Sequence, residues 1–136
     1  MGPTQAELDE FIDGYEAAMW WTNAYEYDNG ELQPYEGLAG VTGEYANGQY
    51  AKLRSAAEDF AMENFDIIRE AIATRDDFYG WNFAGHDFAL TRNGHGVGFW
   101  DRGLGAVGDA LADVAKLHGE QYLIQDTDDG TFYVQG

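Results

Sequence analysis

Leu8, Phe11, Ile12, Tyr15 and Met19 recur at spacings of three and four, which places them on one face of a helix running from Gln5 to about Thr22. Thr4 stands where an N-cap belongs, with Glu7 three residues on, the spacing of a capping box. The opposite face carries Glu7, Asp9, Glu10, Asp13 and Glu16, while Trp20 and Trp21 project toward the flanks and the polar side, so at least one needs a partner, either a second layer of the domain or another molecule. Residues 23–50 lose the period. Asn29-Gly30, Pro34, Gly37, Gly40, Gly43 and Gly48 punctuate them, and they read as a long loop bearing Tyr25, Tyr27, Tyr35, Tyr45 and Tyr50 among its acids. From Gln49 to Thr74 the helical period returns, with Leu53, Ala57, Phe60, Asn64, Ile67, Ile68 and Ala71 on one side.

The period then changes to two. Asp87 to Arg92 alternates as a half-buried strand, Asn93-Gly94-His95-Gly96 supplies turn residues, and Val97 to Trp100 reads as the return strand. A third helix is expected over about Leu104 to His118, its buried stripe Leu104, Val107, Leu111, Val114 and Ala115, with Asp101 as N-cap and Gly119 just past its end. Gln121–Gln125 and Thr131–Val134 form a second hairpin across Asp126-Thr127-Asp128-Asp129-Gly130. The expected order is therefore two helices, a β-hairpin, a helix and a β-hairpin. It describes one α+β domain over 1–136, with an acidic helical half (1–79), a ββαββ half (80–136), and helices packed on one face of a small antiparallel sheet.

Charge changes the picture most. Against 7 basic residues stand 25 acidic ones, a net charge of −18. Residues 1–51 contain ten acids (Glu7, Asp9, Glu10, Asp13, Glu16, Glu26, Asp28, Glu31, Glu36, Glu44) and no Lys or Arg. Such a surface repels nucleic acid and anionic membrane and attracts basic partners. An acid excess also fits solubility or a high-salt setting, but that would spread the acids evenly. Residues 1–80 hold seventeen acids and four bases, residues 81–136 eight and three. With no cysteine, no basic and apolar leader and no apolar run long enough to span a membrane, the expectation is a cytoplasmic, soluble protein.

The run AGHDFALTRNGHGVGFWDRGLG (84–105), with the helix after it and the acidic turn Asp128-Asp129-Gly130, resembles a signature of small proteins from tailed phages and prophages. The resemblance spans about residues 80–133. It implies a phage origin and brings no activity or catalytic residue with it.

Candidate chemistry is sparse. His86-Asp87, His95 and Asp101 could make a metal or acid–base site, and a small hydrolase or metal-binding protein built on the 86–101 hairpin is the rival to an interaction protein. The blander expectation has the histidines bonding the hairpin while Arg92, Asp101 and Arg102 pair across it. Asp126–Gly130 lacks the glycine and distal glutamate of a Ca²⁺ loop, and Gly94–Gly98 lacks the lysine and following helix of a phosphate loop. Ser55 is the one serine and lies in a predicted helix.

These readings converge on a non-enzymatic protein without cofactor, monomer or homodimer, that imitates the phosphate backbone. Its expected partner is a basic nucleic-acid-binding host protein such as a CRISPR effector, a restriction enzyme or a regulator. The residues expected to carry binding are Glu7, Asp9, Glu10, Asp13, Glu16, Glu26, Asp28, Glu31 and Glu36, with Trp20, Trp21 and Tyr27 as anchors at the edge. A virion assembly protein that self-associates through Trp20, Trp21 and the tyrosine-rich loop is the third expectation.

Overall fold

A computed structural model describes residues 2–22, 24–28, 31–34, 43–126 and 128–136. The elements in order are α1 (Gln5–Thr22), β1 (Ala24–Asp28), β2 (Glu31–Pro34), α2 (Gln49–Glu63), α3 (Phe65–Thr74), α4 (Trp81–Arg92), α5 (Ala106–Lys116), β3 (Tyr122–Gln125) and β4 (Phe132–Gln135), with a 3-10 turn at Phe99–Asp101 before α5. The class is α+β.

α1 begins and ends where its pattern places it. The Glu7 amide donates to Thr4 Oγ1 at 3.1 Å and the Thr4 amide donates to Glu7 Oε1 at 2.8 Å, a complete capping box. The expected long helix over 49–74 is two helices. Asn64 (φ −116°, ψ 23°) breaks the path, and its side-chain amide donates to the Phe60 carbonyl at 3.0 Å, a local bond that competes with the helix ladder.

The largest correction concerns the 87–100 hairpin, which is not formed. Residues 81–92 are α4, because Trp81, Ala84, Gly85, Phe88, Ala89 and Arg92, spaced three and four apart, are all buried and form a helical face as well as a period of two. Asn93-Gly94 caps this helix instead of turning a hairpin. Gly94 takes φ +73°, its amide donates to the Thr91 carbonyl, and the His95 amide donates to the Leu90 carbonyl at 3.0 Å, the bond pattern of a Schellman motif. Val97–Trp100 passes through a loop into the 3-10 turn, so the C-terminal half runs α4, α5, β3, β4 rather than ββαββ. α5 is shorter at both ends than the expected 104–118, and Gly105 rather than Asp101 precedes its first turn.

The reading of 23–50 as a loop is corrected at Ala24–Asp28 and Glu31–Pro34, which are strands; residues 35–42 lie outside the described residues. β1 and β2 pair antiparallel with Asp28 opposite Glu31, so two residues connect them. β1 then lies parallel to β3, and the sheet order is β2-β1-β3-β4, mixed rather than wholly antiparallel. The second hairpin forms as expected, with the Asp126 amide donating to the Thr131 carbonyl at 2.7 Å.

The core is aromatic. Phe60 and Phe88 stack with centroids 3.9 Å apart, Tyr15 lies 5.2 Å from Phe88, and Phe11 and Phe99 extend the pile. α1 and α4 make the most extensive contact between helices. Glycine permits it: a Cβ on Gly14 would sit 1.9 Å from the Asn82 carbonyl oxygen, and one on Gly85 at 1.9 Å from that of Phe11. The far edge of the sheet is closed. The Phe132 amide donates to the Glu44 carbonyl, its carbonyl accepts from Ala46, the Val134 amide donates to Gln49 Oε1, and Lys52 Nζ donates to the Val134 carbonyl.

Candidate interaction surface

The buried stripe of α1 fixes what the helix shows to water. With Phe11, Ile12, Tyr15, Ala18 and Met19 fully inside, Asp9, Glu10, Asp13 and Ala17 must point out, and they are exposed. No basic residue lies on this helix. A cation reaches its exposed face from a neighbour: Arg54 of α2 donates to Asp9 Oδ1 at 3.3 Å while also holding Glu58 at 2.9 Å. Gln5 donates to the same Asp9 oxygen at 2.9 Å. Glu10 and Asp13 stand one turn apart, and like charges at that spacing cost a few tenths of a kcal/mol. The exposed Asp59, Glu63, Asp66 and Glu70 continue the negative surface on α2 and α3.

Two of the expected binding residues are occupied inside the molecule. Glu16 accepts from the Tyr45 hydroxyl at 2.6 Å and from Trp20 Nε1 at 3.2 Å, which ties α1 to the segment before α2. The negative Glu16 carboxylate and burial push the Tyr45 hydroxyl well above the ordinary phenol range, with burial the larger cause. Trp20 itself is buried, packed edge-on against Phe132 at 4.7 Å and Tyr45 at 5.3 Å. It is the neighbouring Trp21, 61% exposed, that stands at the rim of the acidic face, its ring 6.3 Å from His86 of α4. Glu7 serves the cap. Glu26, Tyr27 and Asp28 lie in β1 and Glu31 in β2; Glu36 falls outside the described residues.

Within the 86–101 stretch, Asp87 has structural partners. Asp87 is fully buried in α4 and receives the Arg102 guanidinium, Nη2 to Oδ1 at 2.8 Å and Nε at 3.1 Å, together with the Tyr79 hydroxyl on Oδ2 at 2.9 Å. The expected pairing of Arg92 and Asp101 is replaced. Arg92 reaches through the core, donating to the Gly119 carbonyl at 2.7 Å, the His118 carbonyl at 3.0 Å and the Tyr15 hydroxyl at 3.0 Å. Tyr15 in turn donates to Gln121, and burial, opposed by Arg92, pushes its hydroxyl up to about 12. Asn93 Oδ1 accepts from the Gln121 amide at 2.9 Å, so the end of α4 is bonded to the start of β3. His86, next to Asp87 in the chain, sits half-buried, and burial holds its imidazole below the ordinary value despite the pull of Asp87. Asp101 is exposed in the 3-10 turn. Among the described residues no three His, Cys, Asp or Glu side chains come together as a metal-binding group.

Sequence reasoning missed the role of the glycine-rich run. Gly85 marks a helix crossing, Gly94 a helix cap, and a Cβ on Gly98 would lie 2.3 Å from Thr91 Oγ1, which accepts from the Phe99 amide. The helical spacing of Trp81, Phe88 and Arg92 was the available signal. Among the described residues no helix is long and apolar enough to cross a membrane. Comparisons with family models, curated proteins and solved structures gave no match.

Proposed function

We propose that the chain is a phage-encoded, non-enzymatic inhibitor that occupies the basic groove of a host nucleic-acid-binding protein by presenting carboxylates in place of phosphates. The observation that carries this reading is the outer face of α1, where Asp9, Glu10 and Asp13 are exposed on a helix without a single basic residue. Duplex DNA offers about one charge per 1.7 Å of axis. The carboxylates exposed on α1, α2 and α3 make a negative field on a support held by the aromatic core and by the Arg54 bridge between α1 and α2. A field of this kind steers a basic partner into fast, salt-sensitive association. Trp21, at the rim, is the anchor best placed to enter an apolar pocket of that partner, while Trp20 and Glu16 hold the support together. The cellular setting consistent with this role is the host cytoplasm.

The test is affinity capture of host proteins on the tagged chain at low salt, followed by a salt gradient. One dominant nucleic-acid-binding protein should leave only at high salt, be displaced by duplex DNA, and be lost with Asp9, Glu10 and Asp13 changed to Lys. A smear of basic proteins, or equal capture by the lysine variant, would reduce the acidity to solubility.

A further inference from the structure

Two rings meet where α1 ends. Trp21, in the last turn of that helix, lies with its ring 6.3 Å from the imidazole of His86 on α4, the planes tilted by 42°. Trp21 is 61% exposed, whereas His86 is half-buried. Along the exposed ridge of α1, Asp9, Asp13 and Ala17 precede Trp21 at intervals of four residues. At a rise of about 1.5 Å per residue the indole therefore closes the row of carboxylates about 12 Å beyond Asp13.

An imidazole gains its charge in the range just below neutrality, and what surrounds His86 decides what that charge meets. Asp87, its chain neighbour, is already bonded on both oxygens: Oδ1 accepts Arg102 Nη2 at 2.8 Å and Oδ2 accepts the Tyr79 hydroxyl at 2.9 Å. Arg102, whose guanidinium also lies 5.7 Å from the Phe83 ring, is a second cation and repels the first. From α1 comes the indole of Trp21. The electron-rich face of an indole holds a cation better than any other aromatic side chain. Burial, helped by Arg102 and opposed by Asp87, keeps the imidazole neutral to lower pH than usual, so near pH 7 the indole is not held in this way.

We propose that His86 is a pH-sensitive clasp on Trp21: its protonation draws the indole onto α4 and sets a positive charge at the rim of the acidic face, so that the chain releases a basic partner in acid. Its effect on a host partner rests on the function proposed above; the contact itself does not.

Tryptophan emission tests the clasp with no partner present. A charged imidazole quenches an indole it touches, so the emission of the native chain minus that of Trp21→Phe should fall between pH 8 and 5, with a midpoint below the ordinary 6.5. The fall should be lost in His86→Gln, with circular dichroism unchanged in each chain. A Trp21 signal that stays level, or falls equally in His86→Gln, overturns the proposal. Should His86→Gln fail to fold, proton NMR of the native chain decides. The His86 ring resonances must titrate with the midpoint of the Trp21 signal and move when Trp21 is changed to Leu; two different midpoints overturn it.

Release is read with a labelled deca-arginine peptide as the basic probe, since guanidinium groups also stack on aromatic faces. Between pH 7.5 and 5.5 its affinity should fall by about two- to fivefold more for the native chain than for His86→Gln, the value of one cation–π contact. Equal acid dependence in the two chains overturns the release. Failure to capture any nucleic-acid-binding protein from the host would refute the inhibitor reading and leave both of these results standing.

Discussion

Asp87 and Arg102 show how burial sets the consequence of a side chain. The Asp87 side chain is wholly enclosed, while the Arg102 side chain is 23% exposed. Arg102→Ala therefore strands a buried charge and should cost about 3–5 kcal/mol. Asp87→Asn leaves a partly hydrated cation and a hydrogen-bonding amide, so its loss in urea unfolding should be clearly smaller. Equal losses would mean that Arg102 matters for packing on Phe83 rather than for charge. His86 gives a pH dependence of known sign. Its folded imidazole is held below the ordinary 6.5 by burial, with Arg102 adding to the effect and Asp87 opposing it. The unfolded chain binds the proton more readily, so stability is complete above about 6.5 and falls as pH drops through the folded value. Unfolding titrations from pH 7.5 to 5 should show this slope in the native chain and a shallower one in His86→Gln. Tyr15 acts at the other end: raised to about 12 by burial, it favours the fold below 10 and its contribution is lost as pH climbs toward 12.

At the scale of elements, two Asn-Gly pairs explain most of what the sequence concealed. Asn93-Gly94 looked like a hairpin turn and is a helix cap; Asn29-Gly30 looked like loop punctuation and lies between two paired strands. The dipeptide advertises tolerance of positive φ and nothing more. Whether its flanks become helix or strand depends on distant partners: α4 packs on α1 through Gly14 and Gly85, and β1 has β3 from the far end of the chain. α1, by contrast, was legible to the residue because its cap and its face are local. The acidic face came with it, since exposure is the complement of the buried stripe. Trp20 was not legible, because Phe132 reaches it only through the sheet. The crossing of α1 and α4 predicts that Gly85→Ala, with its methyl driven into the Phe11 carbonyl, costs about 1–3 kcal/mol or more and lowers the thermal midpoint. Ala84→Gly, on the same helix without that approach, should cost chiefly its lost methyl group and helix propensity.

For the whole molecule the dominant fact is −18 on 136 residues. Much of the acid is held by geometry that the core supplies, so the fold works against its own field. Thermal unfolding should therefore shift upward between low and moderate NaCl. Glu10→Lys with Asp13→Lys should raise the midpoint at low salt and lose that advantage as salt rises. An absence of both effects would mean the carboxylates are spaced widely enough to ignore one another, and would also weaken their value as a substitute for phosphates.

The shut edge of the sheet sets a limit of another kind. Fibres that grow strand upon strand need every subunit to offer two docking edges, one to receive and one to give. In this fold Glu44, Ala46, Gln49 and Lys52 already consume the hydrogen-bonding groups of Phe132 and Val134. Addition through the sheet can join molecules only pairwise, and an assembly begun that way has no second end from which to lengthen.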